Sequence, residues 1–433
     1  MNSAGSVGGD KSRSRQRLIL GSLVVFFIAV CCLSFALAAR DYGMVYIFFE
    51  PARLPYAVAA VLVFATIVPL FVFARFTFGY FVGFYFYTMI LGYLWLNCFS
   101  PFGYDHTTAG ASAALSAVAF LLPALFITSP VRRFFTLSNT AMQRLPILIL
   151  LFAAAIAVAG ASYNFRLISV DDIYGYREQL YFPTIINYAT AATMSVLLPY
   201  AFACLLLRRQ FWWAGAALLI AISFYPVTLS KIALFTPAWL VMLAILVKIS
   251  EARTATILSL LLPVLVGAVL FVCFHEMSAR YFNIVNLRMV IAPSSAMDFY
   301  NEYFTRHGLT HFCQIWILKP IVPCSLDLPL SVEMANNYGL GNMNASLFAT
   351  EGIASVGVLF APVSALVCGF IISIGNRLSA GLPAELVLIS GAILPQILLN
   401  VPLTTTLLTH GAALLFLLWY VTPRTMFDRA ASQ

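Results

Sequence analysis

Apolar stretches recur along the whole chain, and short polar or basic segments separate them. A helix needs about 20 apolar residues to cross the hydrocarbon core of a bilayer, and each stretch is close to that length. The pattern therefore predicts an all-α polytopic membrane protein with about 12 transmembrane helices. We expect these helices within residues 18–39, 54–74, 76–100, 108–129, 146–163, 184–207, 211–226, 232–249, 254–275, 346–375, 384–403 and 405–421.

Lysine and arginine indicate how the chain is oriented, because cytoplasmic loops of membrane proteins carry an excess of both. The two tails, residues 1–17 and 422–433, are basic, and so is every short loop that would lie on the same side. We therefore expect both termini in the cytoplasm and a transmembrane domain over residues 18–421. The extracytoplasmic loops are then residues 163–183 and, between predicted helices 9 and 10, residues 277–345.

Composition supports the membrane class and excludes one kind of partner. Hydrophobic residues make up 62% of the chain and charged residues only 9%, whereas a soluble domain has about 25% charged residues. The net charge is +8, but the basic residues are spread among the loop ends and not gathered in a patch. We therefore expect the lipid bilayer, and no nucleic acid, among the partners.

Residues 277–345 are the longest polar interval of the sequence. A loop of this length is usually either functional or disordered, and its many aromatic residues argue against disorder. It contains Cys313 and Cys324, which could form a disulfide in an oxidising compartment or remain two free thiols. No cysteine spacing is typical of a metal site, so we expect neither a metal nor another cofactor.

Two arginines of the predicted outer loops lack a carboxylate at helical spacing. These are Arg177 and Arg288, whereas Arg280 and Arg306 each follow a glutamate by four residues. Arginines of this kind either extend to the lipid headgroups or bind an anion. The guanidinium group matches phosphate with two parallel hydrogen bonds, so both are candidate phosphate ligands. Arg166 is a third candidate.

Residues 294–308 predict a short amphipathic helix within the long loop. Its aromatic residues could either pack or stack on sugar rings, and the sequence does not separate these roles. The apolar stripe would be Phe299, Tyr300, Tyr303 and Phe304, and the polar stripe Asp298, Glu302 and Arg306.

Several residues are candidates for acid–base chemistry or ligand binding. His307 and His311 could be bases or structural hydrogen-bond donors. Glu351 lies near the start of a predicted transmembrane helix, where an ionisable residue is costly unless it faces a polar cavity. Gly352 and Gly357 would let another element approach that helix closely.

Three local stretches, together with the topology, resemble the Wzy-type O-antigen polymerases, which join oligosaccharide repeat units in bacteria. The first is Asp172-Ile173-Tyr174-Gly175-Tyr176-Arg177. The second is Arg288-Met289-Val290-Ile291-Ala292-Pro293, followed by Tyr300 and Phe304. The third runs from Asn337 to Asn344 and leads into Glu351-Gly352 and Gly357.

The resemblance implies a GT-C-like glycosyltransferase that uses undecaprenyl-diphosphate-linked glycans at the outer face of the bacterial inner membrane. Arg177 and Arg288 would bind the diphosphates, and Glu351, Asp298, His307 and His311 are the candidate bases. It also implies a chain-length regulator as a partner. The sequence contains no Asp-x-Asp pair, which favours a metal-independent reaction. The residues expected to contact substrate are Arg166, Tyr174, Tyr300, His307, His311, Asn337 and Asn344.

Other functions remain open at this level. One is an O-antigen ligase or another GT-C glycosyltransferase, and another is a polysaccharide flippase or transporter. Transporters place ionisable residues in mid-membrane and contain internal repeats, and the sequence displays neither. A purely structural membrane protein is the last alternative.

Overall fold

A computed structural model describes residues 5–41, 47–169, 176, 180–339 and 349–428 of the chain. These residues form helices and connecting segments and contain no strand, which confirms the all-α prediction. The α-helices are α1 (Gly5–Asp41), α2 (Leu54–Ala65), α3 (Val68–Phe73), α4 (Phe78–Asn97), α5 (His106–Phe126), α6 (Asn139–Ala161), α7 (Thr184–Ala192), α8 (Leu198–Leu207), α9 (Phe211–Ser223), α10 (Tyr225–Thr228), α11 (Lys231–Ile249), α12 (Ala252–Phe282), α13 (Ala292–Arg306), α14 (Leu330–Tyr338), α15 (Ala349–Ser379), α16 (Ala384–Ser390), α17 (Leu394–Leu398), α18 (Leu403–Leu408), α19 (Ala412–Val421) and α20 (Thr425–Asp428).

Within the described ranges, ten helical segments are long and apolar enough to cross a bilayer. The chain is therefore a multi-pass membrane protein. The segments are Ser14–Arg40, Pro51–Phe73, Phe78–Asn97, His106–Phe126, Asn139–Ala161, Thr184–Leu207, Phe211–Thr228, Lys231–Ile249, Ala252–His275 and Ala349–Ser379.

The last two stretches of the sequence that predict spans, residues 384–403 and 405–421, are divided into the short helices α16 to α19. One division falls at Gly411, whose φ of +79° is left-handed and cannot continue a helix. Hydropathy registers composition and not backbone direction, so it does not detect such a division. The count of 12 crossings and the orientation of the termini stay predictions.

The described chain packs as two units, each built from separate stretches of sequence. The first unit consists of Met1–Ile127, Arg253–Ser373 and Leu398–Leu403. The second unit consists of Thr128–Ala252, Ile374–Ile397 and Thr404–Gln433. In the first unit α4 is the central helix, because every residue from Phe78 to Leu96 is buried.

In the first unit the chain reverses direction at Phe274 and His275, whose backbone angles are not helical. Residues 276–291, which we call the returning segment, then run back along the part of α12 that precedes the reversal, residues 252–273. The Ser278 hydroxyl donates to the carbonyl of Leu270 at 3.0 Å, and Asn286 Nδ2, further along the segment, donates to that of Val264, earlier in α12, at 2.8 Å. The returning segment is therefore antiparallel to the helix that precedes it, and it ends in the π-helix Asn283–Ile291.

The chain reverses again inside α15, at Gly357, where φ is +79° and ψ is 167°. A Cβ atom on Gly352 would lie 3.3 Å from Cα of Ala361, so the two arms of the reversal touch. Carbonyls freed at the turn are hydrogen-bonded from outside the helix: the amide of Thr310 donates to Ala354 at 2.8 Å and that of His311 to Ser355 at 3.1 Å. The predicted close approach at Gly352 and Gly357 is confirmed.

Candidate functional site

Helix α13 carries most of the chemistry of the first unit and is buried against α4. Its residues from Pro293 to Phe304 are all buried. Gly92 of α4 lies against the side chain of Ser294 and leaves no space for a Cβ atom, so the two helices are in direct contact. The predicted helix is confirmed, and the two acids of its polar stripe, Asp298 and Glu302, are as buried as its aromatic stripe, whereas Arg306 is exposed.

The carboxylate of Asp298, on α13, is held by a chain of neutral hydrogen-bond donors. The side chain is 3% exposed, and the Tyr104 hydroxyl donates to its Oδ1. The Tyr93 hydroxyl lies 3.2 Å from that of Tyr104, and Asn301 Nδ2 donates to Tyr93 at 3.1 Å. Because the single hydroxyl hydrogen of Tyr104 points to the carboxylate, Tyr93 is the donor to Tyr104.

Burial raises the pKa of Asp298 to about 6, although hydrogen bonds from Tyr104 and Ser100 act to lower it. The negative charge of Glu302 raises it slightly further. A carboxylate with this pKa changes protonation near neutral pH, which is the property required of a general base. Asp298 is one of the four candidate bases, and this pKa is compatible with that role.

Tyr104 is positioned by the connection between α4 and α5. The Asn97 side chain donates to the carbonyl of His106 at 2.9 Å and accepts from the His106 ring, whose Nδ1 is 2.7 Å from Asn97 Oδ1. The Tyr104 hydroxyl is also 2.9 Å from Asn97 Oδ1. When Asp298 is protonated it can donate to Tyr104, whose own hydrogen then turns to Asn97. The network therefore accommodates both protonation states of Asp298.

Sequence reasoning missed Tyr93, Asn97, Tyr104 and His106. They lie in and beside a short connection between two predicted spans and include no carboxylate or lysine. The available signal was the clustering of amide, phenol and imidazole groups at one helix end. Such groups are costly near the bilayer unless they bond to one another.

Glu302, one turn after Asp298, is a second buried acid. One of its oxygens pairs with Arg306, while Oε2 is buried and has no hydrogen-bond partner among the described residues. Arg306 is 66% exposed at its side chain, so the pair reaches from the interior to the surface. The helical pairing expected for Arg306 is confirmed.

Glu351 lies in the first turn of α15 and is also buried. Its charge acts on Tyr300 of α13, which is fully buried. Burial, and after it the charge of Glu351, raise the pKa of the Tyr300 hydroxyl. Two residues predicted at the site, Glu351 and Tyr300, are therefore close enough to interact electrostatically.

The two candidate histidines are exposed and have structural contacts. The His307 ring stacks on that of Tyr303 with centroids 3.9 Å apart, and its Nδ1 is 2.8 Å from the Tyr303 carbonyl. His311 has a φ of +50° and donates its amide to Ser355. His307 thus has a structural contact through its ring and His311 through its backbone amide, and the role of either residue as a base stays a prediction.

Helix α14 contacts α13 through Glu333 and Tyr338. The Tyr303 hydroxyl donates to Glu333 Oε1 at 3.1 Å, and Asn337 Nδ2 donates to the same oxygen at 3.1 Å. Asn337 is exposed, and its amide nitrogen is engaged within its own helix. The Tyr338 ring lies 4.9 Å from that of Phe299, so α14 packs beside the part of α13 that carries Asp298.

The candidate phosphate ligands are distributed over both units. Arg288 is exposed and belongs to the π-helical end of the returning segment, in the first unit. Arg166 belongs to the second unit, where its guanidinium lies 5.7 Å from the ring centroid of Tyr176. Arg177 and Tyr174, like Asn344, lie outside the described residues.

Cys313 and Cys324 are joined in a disulfide, with their Cα atoms 5.1 Å apart. This resolves the choice that the sequence left open. The bond closes a segment that Gln314 fixes further, because its side chain bonds both Leu328 and Leu330. In the part of the chain that the structure describes, no group of three or more histidine, cysteine or acidic side chains could hold a metal ion.

Comparisons of the chain with protein-family models, with characterised proteins and with solved structures give no match. The function therefore has to be argued from the geometry.

Proposed function

We propose that the protein is a polytopic glycosyltransferase that polymerises undecaprenyl-diphosphate-linked oligosaccharide repeat units into surface polysaccharide. The reaction would take place at the outer face of the bacterial inner membrane, as in the Wzy-type polymerases that the sequence resembles. The observation that carries the proposal is Asp298, a buried carboxylate whose pKa of about 6 suits it to accept a proton at neutral pH.

The reaction is a displacement at the anomeric carbon of the growing chain. A hydroxyl oxygen of the incoming repeat unit bonds to this carbon, and the bond from the carbon to the phosphate oxygen breaks. The lipid diphosphate leaves with the electron pair, and the hydroxyl proton passes to Asp298. A diphosphate is a good leaving group, so the protein contributes mainly orientation and charge stabilisation.

Arg288 and Arg177 would stabilise the negative charge that develops on the departing diphosphate. Arg288 is exposed and belongs to the returning segment. An exposed guanidinium on a segment that folds back along a membrane helix is well placed for a lipid phosphate. Glu351 would be a further carboxylate of the same site.

The disulfide supports the proposed orientation of the chain. Disulfides form and persist in oxidising compartments and are rare in the cytosol. Cys313 and Cys324 lie in the long polar interval, residues 277–345, which we place outside the membrane on the side away from the cytoplasm. Both termini would then be cytoplasmic, with about 12 crossings in the chain.

Deletion of the gene followed by a gel of surface polysaccharide tests the proposal directly. We expect long chains to disappear while single repeat units remain attached. The purified protein, supplied with undecaprenyl-diphosphate-linked repeats, should form polymer with no other enzyme. Loss of polymer from the Asp298→Asn variant, with polymer retained by the exposed Asp327→Asn variant, would assign the base.

The same assay tests the phosphate ligand. Arg288→Gln should reduce polymer formation at least a hundredfold, since removing one charge-stabilising group typically costs that much. Arg280→Gln is the matched control, because it removes an exposed arginine from the same segment. Equal activity of the two variants would remove Arg288 from the mechanism.

The buried acids favour a transporter as the second candidate function. Asp298 and Glu302 are enclosed in a membrane protein, and ion-coupled transporters use carboxylates in such positions. Under this alternative, deletion of the gene would remove every repeat unit from the surface, including single ones. The gel therefore separates the two functions.

A further inference from the structure

The second unit contains a cleft of about 320 Å³ that the mechanism above does not use. This volume is at the lower end of the range of about 300–1,000 Å³ found for small-molecule sites. Its polar lining residues are Asn187, Thr190, Ser195, Thr228, Ser230 and His410. No lysine, arginine, aspartate or glutamate is among the described residues that line it.

The backbone around the cleft departs from regular helix at three places. Ser195 belongs to the π-helix Thr193–Leu197, and such segments are frequent at functional sites. Leu229, between two lining residues, has a φ of +47°, which is strained for a branched side chain. His410 directly precedes the left-handed Gly411. Irregular backbone of this kind is retained where it shapes a binding site.

The lining groups can both donate and accept hydrogen bonds while remaining uncharged. The Ser195 hydroxyl is 3.4 Å from His410 Nδ1, so these two polar groups lie side by side in the lining. A neutral imidazole has one donor and one acceptor, as a hydroxyl does. Phe182 adds an aromatic surface beside these groups.

The cleft lies at the end of the unit where residues 163–183 enter and leave. Leu180 and Phe182, from the end of that loop, are part of its wall. The start of the loop is fixed to α10, because Asn164 Nδ2 donates to the carbonyl of Val227 at 2.8 Å. The next residue along α10, Thr228, lines the cleft. The described ends of this loop, residues 163–169 and 180–183, therefore lie on one side of the cleft.

We propose that this cleft binds a neutral sugar, which would be an uncharged ring of the saccharide that the protein elongates. Hydroxyl, amide and imidazole groups without net charge match the hydroxyls of such a ring, and the aromatic surface matches its apolar face. A uronic acid or a phosphate would find no cation among the described residues of the lining. The proposal rests on the proposed function only in naming the saccharide as the one being elongated.

Saturation-transfer-difference NMR tests the cleft on the full-length protein in phosphatidylcholine nanodiscs, without any sugar-based detergent. The probes are glucose, galactose and N-acetylglucosamine, with glucuronate as the charged counterpart. We expect transfer to at least one neutral sugar and none to glucuronate. Absence of transfer to all three neutral sugars overturns the proposal.

Two variants locate the binding. Ala191→Trp fills the cleft and should abolish transfer, while Thr190→Val removes only one hydroxyl and should weaken binding about tenfold, the loss expected for one hydrogen bond. If the Ala191→Trp variant does not fold, the Thr190→Val variant still tests whether the sugar binds in this cleft. Thr66→Val, an exposed threonine of the first unit, is the matched control and should bind as the wild type does. Unchanged transfer in Thr190→Val overturns the assignment to this cleft.

The outcome separates this inference from the proposed function. If Thr190→Val polymerises at the wild-type rate with unchanged sugar binding, the proposal that the cleft binds the sugar is wrong and the polymerase proposal is unaffected. If the wild type binds a neutral sugar in the cleft but forms no polymer from lipid-linked repeats, the polymerase proposal is wrong and the sugar site is unaffected.

Discussion

Asp298 links the stability of the fold to pH. Its pKa in the folded protein is about 6, above the ordinary value of 3.8, so between pH 4 and pH 6 the folded state holds a proton that the unfolded state has released. The stability that the protonated side chain confers is complete below pH 4 and is lost as pH rises through about 6. At pH 7 the ionised carboxylate costs on the order of 3 kcal/mol.

The Asp298→Asn variant should therefore be more stable than the wild type at pH 7, by up to about 3 kcal/mol. The difference should vanish towards pH 4, because the wild-type side chain is then also neutral. The midpoint of thermal unfolding, followed by intrinsic fluorescence between pH 4 and pH 8, measures the difference in stability at pH 7 and its disappearance towards pH 4. Asp327→Asn should track the wild type throughout, and parallel curves for wild type and Asp298→Asn would contradict the buried carboxylate.

Removal of the Tyr104 hydroxyl should shift the protonation equilibrium of Asp298. The hydrogen bond from Tyr104 lowers the pKa of Asp298, so Tyr104→Phe should raise it by about one unit, the size of a hydrogen bond to a charged group. The pH at which polymer formation is half maximal should move upward by the same amount. Tyr56→Phe, an exposed tyrosine, should leave the profile in place, and a downward shift in Tyr104→Phe would be incompatible with this network.

At the scale of elements, the two reversals at Phe274–His275 and at Gly357 determine where the site residues lie. Each reversal brings polar residues back against a membrane helix, and groups from other segments hydrogen-bond to it. At the first reversal Asn286 Nδ2 donates to the carbonyl of Val264 of α12 and to the hydroxyl of Ser34 of α1. At the second the amide of Thr310 donates to the carbonyl of Ala354. Hydrogen bonds of this kind are how irregular backbone is tolerated within membrane proteins.

Gly357→Ala should disrupt the second reversal, because its φ of +79° with ψ of 167° is open only to glycine. The strain should cost about 1–3 kcal/mol, with a lower unfolding midpoint and a lower yield of folded protein. Gly215→Ala is the matched control: its Cβ meets nothing within 4 Å and it lies inside α9. That variant should be neutral or slightly more stable. A Gly357→Ala protein as stable as Gly215→Ala would exclude the reversal.

The helices were more predictable than their arrangement. The length and apolarity of most spans follow from local composition, and the helix over residues 294–308 follows from its periodicity. The burial of Asp298 does not, because its donor Tyr104 is 194 residues away in sequence. The run at residues 346–375 looks continuous in hydropathy although the chain turns back at Gly357. Contacts between distant residues determine both features, and a single sequence does not contain them.

At the scale of the whole molecule, the disulfide tests the orientation. Protein isolated from cells under conditions that block thiol exchange should have Cys313 and Cys324 inaccessible to a maleimide mass tag until it is reduced. Cys313→Ser should free one further thiol for the tag, while Cys273→Ser, at an exposed free cysteine, should remove one. Tagging of both Cys313 and Cys324 without reduction would place the loop on the cytoplasmic side.

The first unit is discontinuous in sequence, and this has a consequence for how the cell makes it. Helix α4 has no residue between Phe78 and Leu96 that faces lipid, yet α13, which covers it, is synthesised only after the whole stretch Thr128–Ala252 of the other unit. The face of α4 at Gly92, which Ser294 of α13 later covers, therefore contacts lipid or another helix until the ribosome has made α13.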